Sequence, residues 1–319
     1  VKALFRKAMT NMTGILLFSE DPALAKQLLT PALELKSVLG QPIVALALDS
    51  TLAAELAALG ADKVLVLQSP SGWVEGMAES IYDLARADAV NILLFGGTQR
   101  GKHLAAYVAA KLDAGLTTDA KALSVMDGAL VTTRILYAGL AVCEEVLAFP
   151  AVATIPPRSF PAPAASAAVG SVETVTGSDE ARVTIADVTS IGSSGVDITS
   201  ANKLVAVGRG FRAKDDLKLA EDLAVKLKGE IACSRGIAED EHWLPLERYI
   251  GISGQNVKPD LYLAVGLSGQ VQHMVGARES KIIVAVNNDE RAPIFEAADY
   301  GIVGDLYAVL PLLTAAINS

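Results

Sequence analysis

Residues 261–305 read LYLAVGLSGQVQHMVGARESKIIVAVNNDERAPIFEAADYGIVGD, and the fold follows from them. The stretch opens on a short apolar run, 261–265, that stops at Gly266, Ser268 and Gly269. Runs of this kind, punctuated by glycine, read as buried parallel strands entering a loop. Residues 270–277 are short and helix-compatible. Glycine lets backbone approach a ligand closely, and a helix start offers free N–H groups with partial positive charge. A second buried strand over 281–286 ends in Asn287-Asn288-Asp289, and a third over 300–303 ends in Gly304-Asp305. Three apolar strands thus stop at small or polar residues, the pattern of the carboxyl edge of a doubly wound sheet, where ligands bind.

The same rhythm extends back to residue 204. A strand over 204–207 leads into Gly208-Arg209-Gly210 and a helix over 215–227, and a strand over 230–233 stops at Ser234-Arg235. A short amphipathic segment, 244–249, precedes the loop Gly251-Ile252-Ser253-Gly254, and a helix over 307–317 closes the chain. One Gly-Xaa-Gly after a strand is weak evidence of anything but a turn. Repetition strengthens it, because strand ends carrying Gly208 and Arg209, Ser234 and Arg235, Gly266 and Ser268, Asn287, and Asp305 share one edge. They supply two guanidinium groups, a hydroxyl pair, backbone amides and a carboxylate. A pyrophosphate suits the amides and cations, and a ribose diol suits the carboxylate. A dinucleotide site is therefore expected here. His273 is the histidine of this cluster, placed to offer a hydrogen bond or a positive charge to an electron-rich ring.

The first half alternates strands and helices, which means a parallel sheet with crossovers. Strands are expected over 14–19, 42–48, 63–67 and 91–95, and helices over 22–39, 50–59, 73–86 and 100–112. Asp21 and Pro22 mark one helix start, and Ser50 is expected to cap the next. The rhythm changes after Gly115: residues 123–125, 130–134 and 151–155 are strand-like, with Asp127-Gly128 as a hairpin turn. Residues 156–168 are rich in Pro, Ala and Ser, 181–187 read as one more strand, and 191–195 form a flexible Gly/Ser stretch. The expected architecture is α/β in two domains: a parallel-sheet α/β domain over 1–198 and a doubly wound, Rossmann-like domain over 199–319.

With 51% hydrophobic residues the chain has ample material for two cores, yet no apolar run approaches the roughly 20 residues of a membrane span. A net charge of -9 argues against a nucleic-acid surface. The two cysteines, Cys143 and Cys233, lie far apart without metal-ligand spacing, which suits a reduced, cytoplasmic protein. The first nine residues are too polar for a secretory signal and suit an extended or engineered start before Met12. No metal-ligand cluster, Walker sequence or Ser/His/Asp constellation stands out, and no catalytic residue is assigned. Glu239-Asp240-Glu241 reads as a solvated face.

With these residues in view, the second half resembles the α subunit of electron-transfer flavoproteins. The matching words are VGRG, CSR, PDLYLAVGLSGQVQHMVGA, IVAVNND, APIF and ADYGIVGDL, nearly continuous over 203–312. GGTQRGKHLAAYVAAKL, ILYAGLA and VATIPPRSF extend the resemblance into the first half. It implies a heterodimer with a β subunit, the N-terminal domain serving the partner and the C-terminal domain holding FAD. By position it implies FAD contacts from Arg209, Ser234 and Arg235, and from a flavin loop of Gly251, Ile252 and Ser253. Ser253 stands where the family's threonine hydrogen-bonds flavin N5. Ser268, Gly269, Gln270, Val271, Gln272 and His273 match the segment around the pyrophosphate, with His273 reaching the pyrimidine side of the ring. Asn287 and Asp305, with the adjoining Leu306, match the adenosine end. Arg235 and His273 would favour negative charge over the pyrimidine ring of a reduced flavin.

Ile252 stands where many members have glutamine, and Ser253, Gln270 and Met274 also depart from the commoner pattern. These variants look closer to the bacterial subgroup serving dedicated acyl-CoA dehydrogenases, including the nitrogen-fixation and carnitine-linked types. The implied function is FAD-mediated electron transfer between flavoproteins, in an electron-bifurcating complex or a simple one. The alternative from another class is a self-contained NAD(P)-dependent oxidoreductase using the same crevice. Bound flavin would colour the protein yellow, whereas a nicotinamide enzyme is colourless.

Overall fold

Strand β1 (Ile15–Phe18) is ILLF with every residue buried, a composition suited to a sheet covered on both faces. A computed structural model describes residues 14–317 except 69–71, 88, 138–139, 167, 178–182, 184, 188 and 190–196. These residues fall into two compact units, one ending at Val188 and the other beginning at Thr189. The sequence placed the change of domain near 198; the Gly/Ser stretch over 191–195 and the chain start lie outside the described residues. Of the strand expected over 181–187, the described residues, 183 and 185–187, are not in a strand: they are exposed and pair with no neighbour.

In the first unit, β1 is followed by α1 (Pro22–Leu39), β2 (Ile43–Ala47), α2 (Ser50–Ala58), β3 (Lys63–Gln68), α3 (Ala78–Ala87), β4 (Ile92–Gly96) and α4 (Gln99–Leu112). Strands β5 (Gly115–Thr117), β9 (Ala151–Ile155) and β10 (Ser171–Thr176) complete a seven-stranded sheet of order β10-β3-β2-β1-β4-β9-β5. Every pairing in it is parallel. Alternate strand residues feed two cores. Ile15, Leu17, Ile43 and Leu94 pack with Leu28 and Leu29 of α1 and Leu56 of α2, while Phe18, Leu93 and Phe95 pack with Ile81 of α3 and Leu104 of α4. Phe18 and Phe95 meet edge to face, with ring centroids 6.5 Å apart.

Strands β6 (Ala120–Met126), β7 (Ala129–Leu136) and β8 (Ala141–Ala148) form a separate antiparallel sheet. Asp127 and Gly128, with φ of 50° and 75°, make the β6–β7 turn that the Asp-Gly pair predicts. One face of this sheet packs inward through Leu130 and Leu147. The other leaves Met126, Ile135, Val142 and Val146 exposed, with Ile135 directly opposite Val142.

In the second unit, β11 (Lys203–Val207), α5 (Lys218–Leu227), β12 (Glu230–Cys233), β13 (Leu261–Val265), α6 (Val271–Met274), β14 (Ile283–Asn287), α7 (Ile294–Ala297), β15 (Tyr300–Val303) and α8 (Leu306–Ala316) follow in turn. Their sheet has the order β12-β11-β13-β14-β15 and is parallel throughout. The chain steps from β11 outward to β12, then returns past β11 to β13. The two halves of the sheet therefore diverge at β11 and β13, the switch point at which doubly wound sheets open a crevice.

One cap differs from expectation. Ser50 is already helical, and Asp49 is the N-cap of α2, its Oδ1 accepting from the Leu52 amide at 2.9 Å. A carboxylate one residue earlier reaches the orphan amide of the first turn, which leaves the hydroxyl no capping role. Asp49→Ala should therefore cost about 1 kcal/mol, while Ser50→Ala stays within a few tenths. Urea unfolding of both variants reads the difference, and equal losses would return the cap to Ser50.

Candidate functional site

The cleft at the switch point is built backbone against backbone. The Gly208 amide donates to the Val265 carbonyl and the Gly210 amide to the Gly266 carbonyl, both at 3.0 Å. A Cβ on Gly210 would lie 2.7 Å from Gly266 Cα, and one on Gly208 would collide with the Gly266 carbonyl oxygen. Gly269, at φ 76°, has its Cα against the backbone of Ile294, so a side chain there meets both a wall and a forbidden conformation. The turns after β11 and β13 thus interlock. Asn287 ties in the end of β14: its Nδ2 donates to the Leu267 carbonyl at 2.8 Å, and its Oδ1 accepts from the Asp289 amide at 2.9 Å.

These turns floor a cleft of about 610 Å³, within the range of small-molecule sites. The structure brings Arg209, Ser234, Arg235, Ile252, Ser253, Ser268, Gly269, Gln270, Gln272, His273 and Asn287 together around it. Gly251, Val271, Asp305 and Leu306 do not line it. Asp305 instead caps α8, its Oδ1 accepting from the Tyr307 amide at 3.0 Å. Residues 270–277 yield only four residues of α-helix, so the anion-binding character of this wall rests more on the glycine turns and the arginines than on a helix end. The lining also includes Tyr249, Asp289 and Pro293, to which sequence reasoning gave no site role, and Asp240, which it read as part of a solvated face. Tyr249 gives no signal in spacing. Its hydroxyl meets Ser253 Oγ at 2.8 Å across the loop of Gly251 and Gly254.

The two arginines differ in how far their charge is used. Arg235 Nε donates to Glu239 Oε2 at 2.6 Å, from the π-helical turn Gly236–Asp240. Glu239 holds the guanidinium pKa above its ordinary value. Arg209 has no ion-pair partner among the described residues, and its stem lies so close to Gly236 that a Cβ there would be 3.0 Å from Arg209 Cδ. Both side chains are exposed at the cleft. Ile252, 61% exposed at its mouth, is held by its amide, which donates to the Gln272 carbonyl at 2.8 Å.

His273 is held differently. Its Nε2 lies 2.6 Å from the hydroxyl of Tyr262, and its Nδ1 is buried with no hydrogen-bond partner of proper geometry. Although the residue edges the cleft, most of the ring is surrounded by protein. Burial pushes its pKa down to about 4, against a smaller upward pull from the Ile250 backbone. The ring is therefore neutral at pH 7 in this chain. Cys233, at the end of β12 beside Ser234, is fully buried, and desolvation pushes its thiol up to about 12. Among the described residues no group of three His, Cys, Asp or Glu side chains is placed to hold a metal, and no helix is long and apolar enough to cross a membrane.

A histidine that resists protonation when folded leaves the unfolded chain binding more protons between pH 6.5 and about 4. Stability therefore falls as pH drops through that window. The loss from this group is at most about 3 kcal/mol, since each tenfold change in proton affinity is worth roughly 1.4 kcal/mol. His273→Gln should flatten that part of the profile, read from urea midpoints between pH 7 and 4. Parallel profiles would show that the ring charges without cost.

The glycine floor and the exposed guanidinium groups fit an anionic dinucleotide, as FAD is. Residues 197–278 match the electron transfer flavoprotein FAD-binding domain, and residues 23–180 match the electron transfer flavoprotein domain. The chain is 40% identical over 315 residues to Protein FixB of Escherichia coli O17:K52:H18, covering 97% of this chain and 99% of that protein. Protein FixB of Escherichia coli O157:H7 is 40% identical and that of Salmonella paratyphi A 39%, with the same coverage. The match leaves the nicotinamide alternative without support. The chain therefore belongs to the electron-transfer flavoprotein family, as an FAD-binding α subunit close to the FixB proteins.

Proposed function

We propose that FAD occupies the β11–β13 cleft and that the chain works there as an electron carrier rather than as a substrate-specific enzyme. The observation that carries this reading is a cradle of glycine backbone that no side chain could enter, rimmed by two exposed arginines and by polar side chains. Arg209 and Arg235 bring positive charge to a molecule that carries two phosphates and gains electrons. Ser234, Ser253, Ser268, Gln270, Gln272 and Asn287 offer hydroxyl and amide groups around it. Gly251 and Leu306 support the walls from behind: Leu306 packs against Gly266, and Gly251 lies against Gly276. Bound FAD supplies the reversible uptake of electrons.

The protein's own titrating groups support the carrier reading. His273 and Cys233 belong to the residue types whose ordinary pKa values lie nearest neutrality, and burial moves them to about 4 and about 12. Neither exchanges a proton near pH 7, so this side of the cleft is not equipped for general acid or base catalysis. The subgroup pattern at Ile252, Ser253, Gln270 and Met274 favours an acyl-CoA dehydrogenase-type flavoprotein as the exchange partner. Members of the family work with a β subunit. We assign it to the first unit, on the exposed apolar face formed by Met126, Ile135, Val142 and Val146, since such contiguous faces mark interaction sites.

Two variants test these assignments. Arg235→Ala should fold normally yet lose roughly tenfold or more in FAD affinity, the scale of one charge-assisted hydrogen bond. Its redox titration, followed in the visible spectrum, should shift against the reduced cofactor. Unchanged FAD content and an unchanged titration would remove Arg235 from the site. Val142→Glu should leave the FAD unit intact while weakening the heterodimer, measured by sedimentation. A heterodimer of undiminished strength would move the partner surface elsewhere.

A further inference from the structure

Tyr249 is tied by its backbone to the end of β12. It forms a parallel bridge with Cys233, and the next amide, of Ile250, donates to the Cys233 carbonyl at 3.0 Å. From there the chain turns back on itself. The Gly254 amide donates to the Gly251 carbonyl at 3.0 Å, and the Gln255 amide donates to the Tyr249 carbonyl at 2.7 Å. The phenol ring fills the turn so made. A Cβ on Gly254 would lie 2.8 Å from Tyr249 Cδ1, and one on Gly251 would lie 3.2 Å from Cε2. The loop is therefore wound round the ring at distances that favour glycine on both sides.

This winding returns Ser253 to the hydroxyl of the ring, with Oγ 2.8 Å from Oη. Serine has no branch at Cβ to stiffen it as threonine is stiffened, so nothing in the residue itself selects one of its three rotamers. Tyr249 is buried and Ser253 is exposed, and both line the cleft. A phenol is the stronger donor of the two hydroxyls and the alkyl oxygen the better acceptor. The phenol hydrogen is also the one that cannot be left ungiven without cost, and among the described residues its partner is Ser253 Oγ. With Oγ accepting from Tyr249, the serine hydrogen is turned away from the ring and remains to be donated.

We propose that Tyr249 is a positioning residue: its ring shapes the loop of Gly251 to Gly254, and its hydroxyl donates to Ser253 Oγ, fixing that hydroxyl in one rotamer toward the ligand of the cleft. The identity of the ligand rests on the FAD reading, whereas the loop and the serine rotamer are properties of this chain. Tyr249 acts through Ser253, and its hydroxyl has no separate share in binding. A hydroxyl fixed before the ligand arrives need not be ordered by it, which is where such a device gains affinity.

A double-substitution cycle on the full chain with its β subunit tests this, read as the rate of FAD loss and as the midpoint potential of the bound cofactor. Tyr249→Phe keeps the ring and removes the hydroxyl, and should speed FAD loss roughly fivefold. Ser253→Ala should do so at least as much, and the double variant should match Ser253→Ala alone in both rate and potential. Losses that multiply in the double variant would give Tyr249 a contact of its own and overturn the proposal, as would a Tyr249→Phe variant that keeps FAD like the unsubstituted chain. Crystal structures of the FAD-free complex decide the same point without the cofactor. Ser253 Oγ should face the phenol in a single rotamer and spread over several in Tyr249→Phe. An Oγ turned from the phenol, or a rotamer that Tyr249→Phe leaves unchanged, overturns the proposal. Should that variant not fold, the place of Oγ in the unsubstituted chain decides. A complex that never takes up FAD overturns the reading of the cleft, while the serine rotamer still decides the part played by Tyr249.

Discussion

The second unit depends on the contact between the turns that follow β11 and β13. At Gly208, Gly210 and Gly266, main chain touches main chain at distances that exclude even a methyl group. Such closeness is available only where adjacent parallel strands leave the sheet in opposite directions, because their loops then separate beyond the point of contact. The strand order β12-β11-β13-β14-β15 provides one such place. The floor, the arginines and the loop bearing Ile252 and Ser253 are all arranged around it. A side chain at any of these glycines would force the turns apart before it disturbed anything else.

The cleft also keeps charge and hydrogen bonding separate. In a chain of net charge -9, the positive charge at the cleft comes from two exposed guanidinium groups. One of them is shared with Glu239 through an exposed contact of the i,i+4 kind, which is weak and readily exchanged. The buried side of the cleft is neutral, with Tyr262 and His273 linked by a hydrogen bond and neither ionised. Mobile charge at the rim and fixed dipoles at depth suit a ligand whose own charge varies, since only the rim has to reorganise.

Much of this was legible in the sequence. Buried parallel strands are written as apolar runs, and those ending at Gly208, Ser234, Gly266, Asn287 and Gly304 were visible because each stops abruptly at a small or polar residue. Asp127-Gly128 announced its hairpin for a similar reason, a turn that needs two left-handed residues. Strands β5, β8 and β10 were not singled out. β5 is three residues long, β8 lies on a partly exposed antiparallel sheet, and β10 is almost wholly exposed at an edge whose partner, β3, lies far back in the chain. Asp49 and Ser50 are both good caps, and only geometry distinguishes them. The pairings of Tyr249 with Ser253 and Tyr262 with His273 obey no helical or strand spacing, and the neutrality of His273 arises from burial that a sequence does not display.

Cys233 stands at the end of β12, next to Ser234 and Arg235, with its sulfur sealed in and its proton held firmly. Thiols react with oxidants as thiolates, and this one forms none at any physiological pH. A protein that handles electrons is exposed to peroxide and to partially reduced oxygen, and an accessible sulfur at this position would be oxidised beside the cofactor. Sealing the sulfur keeps the redox traffic of the second unit on a single carrier, whose oxidation state is then not entangled with slow sulfur chemistry next door.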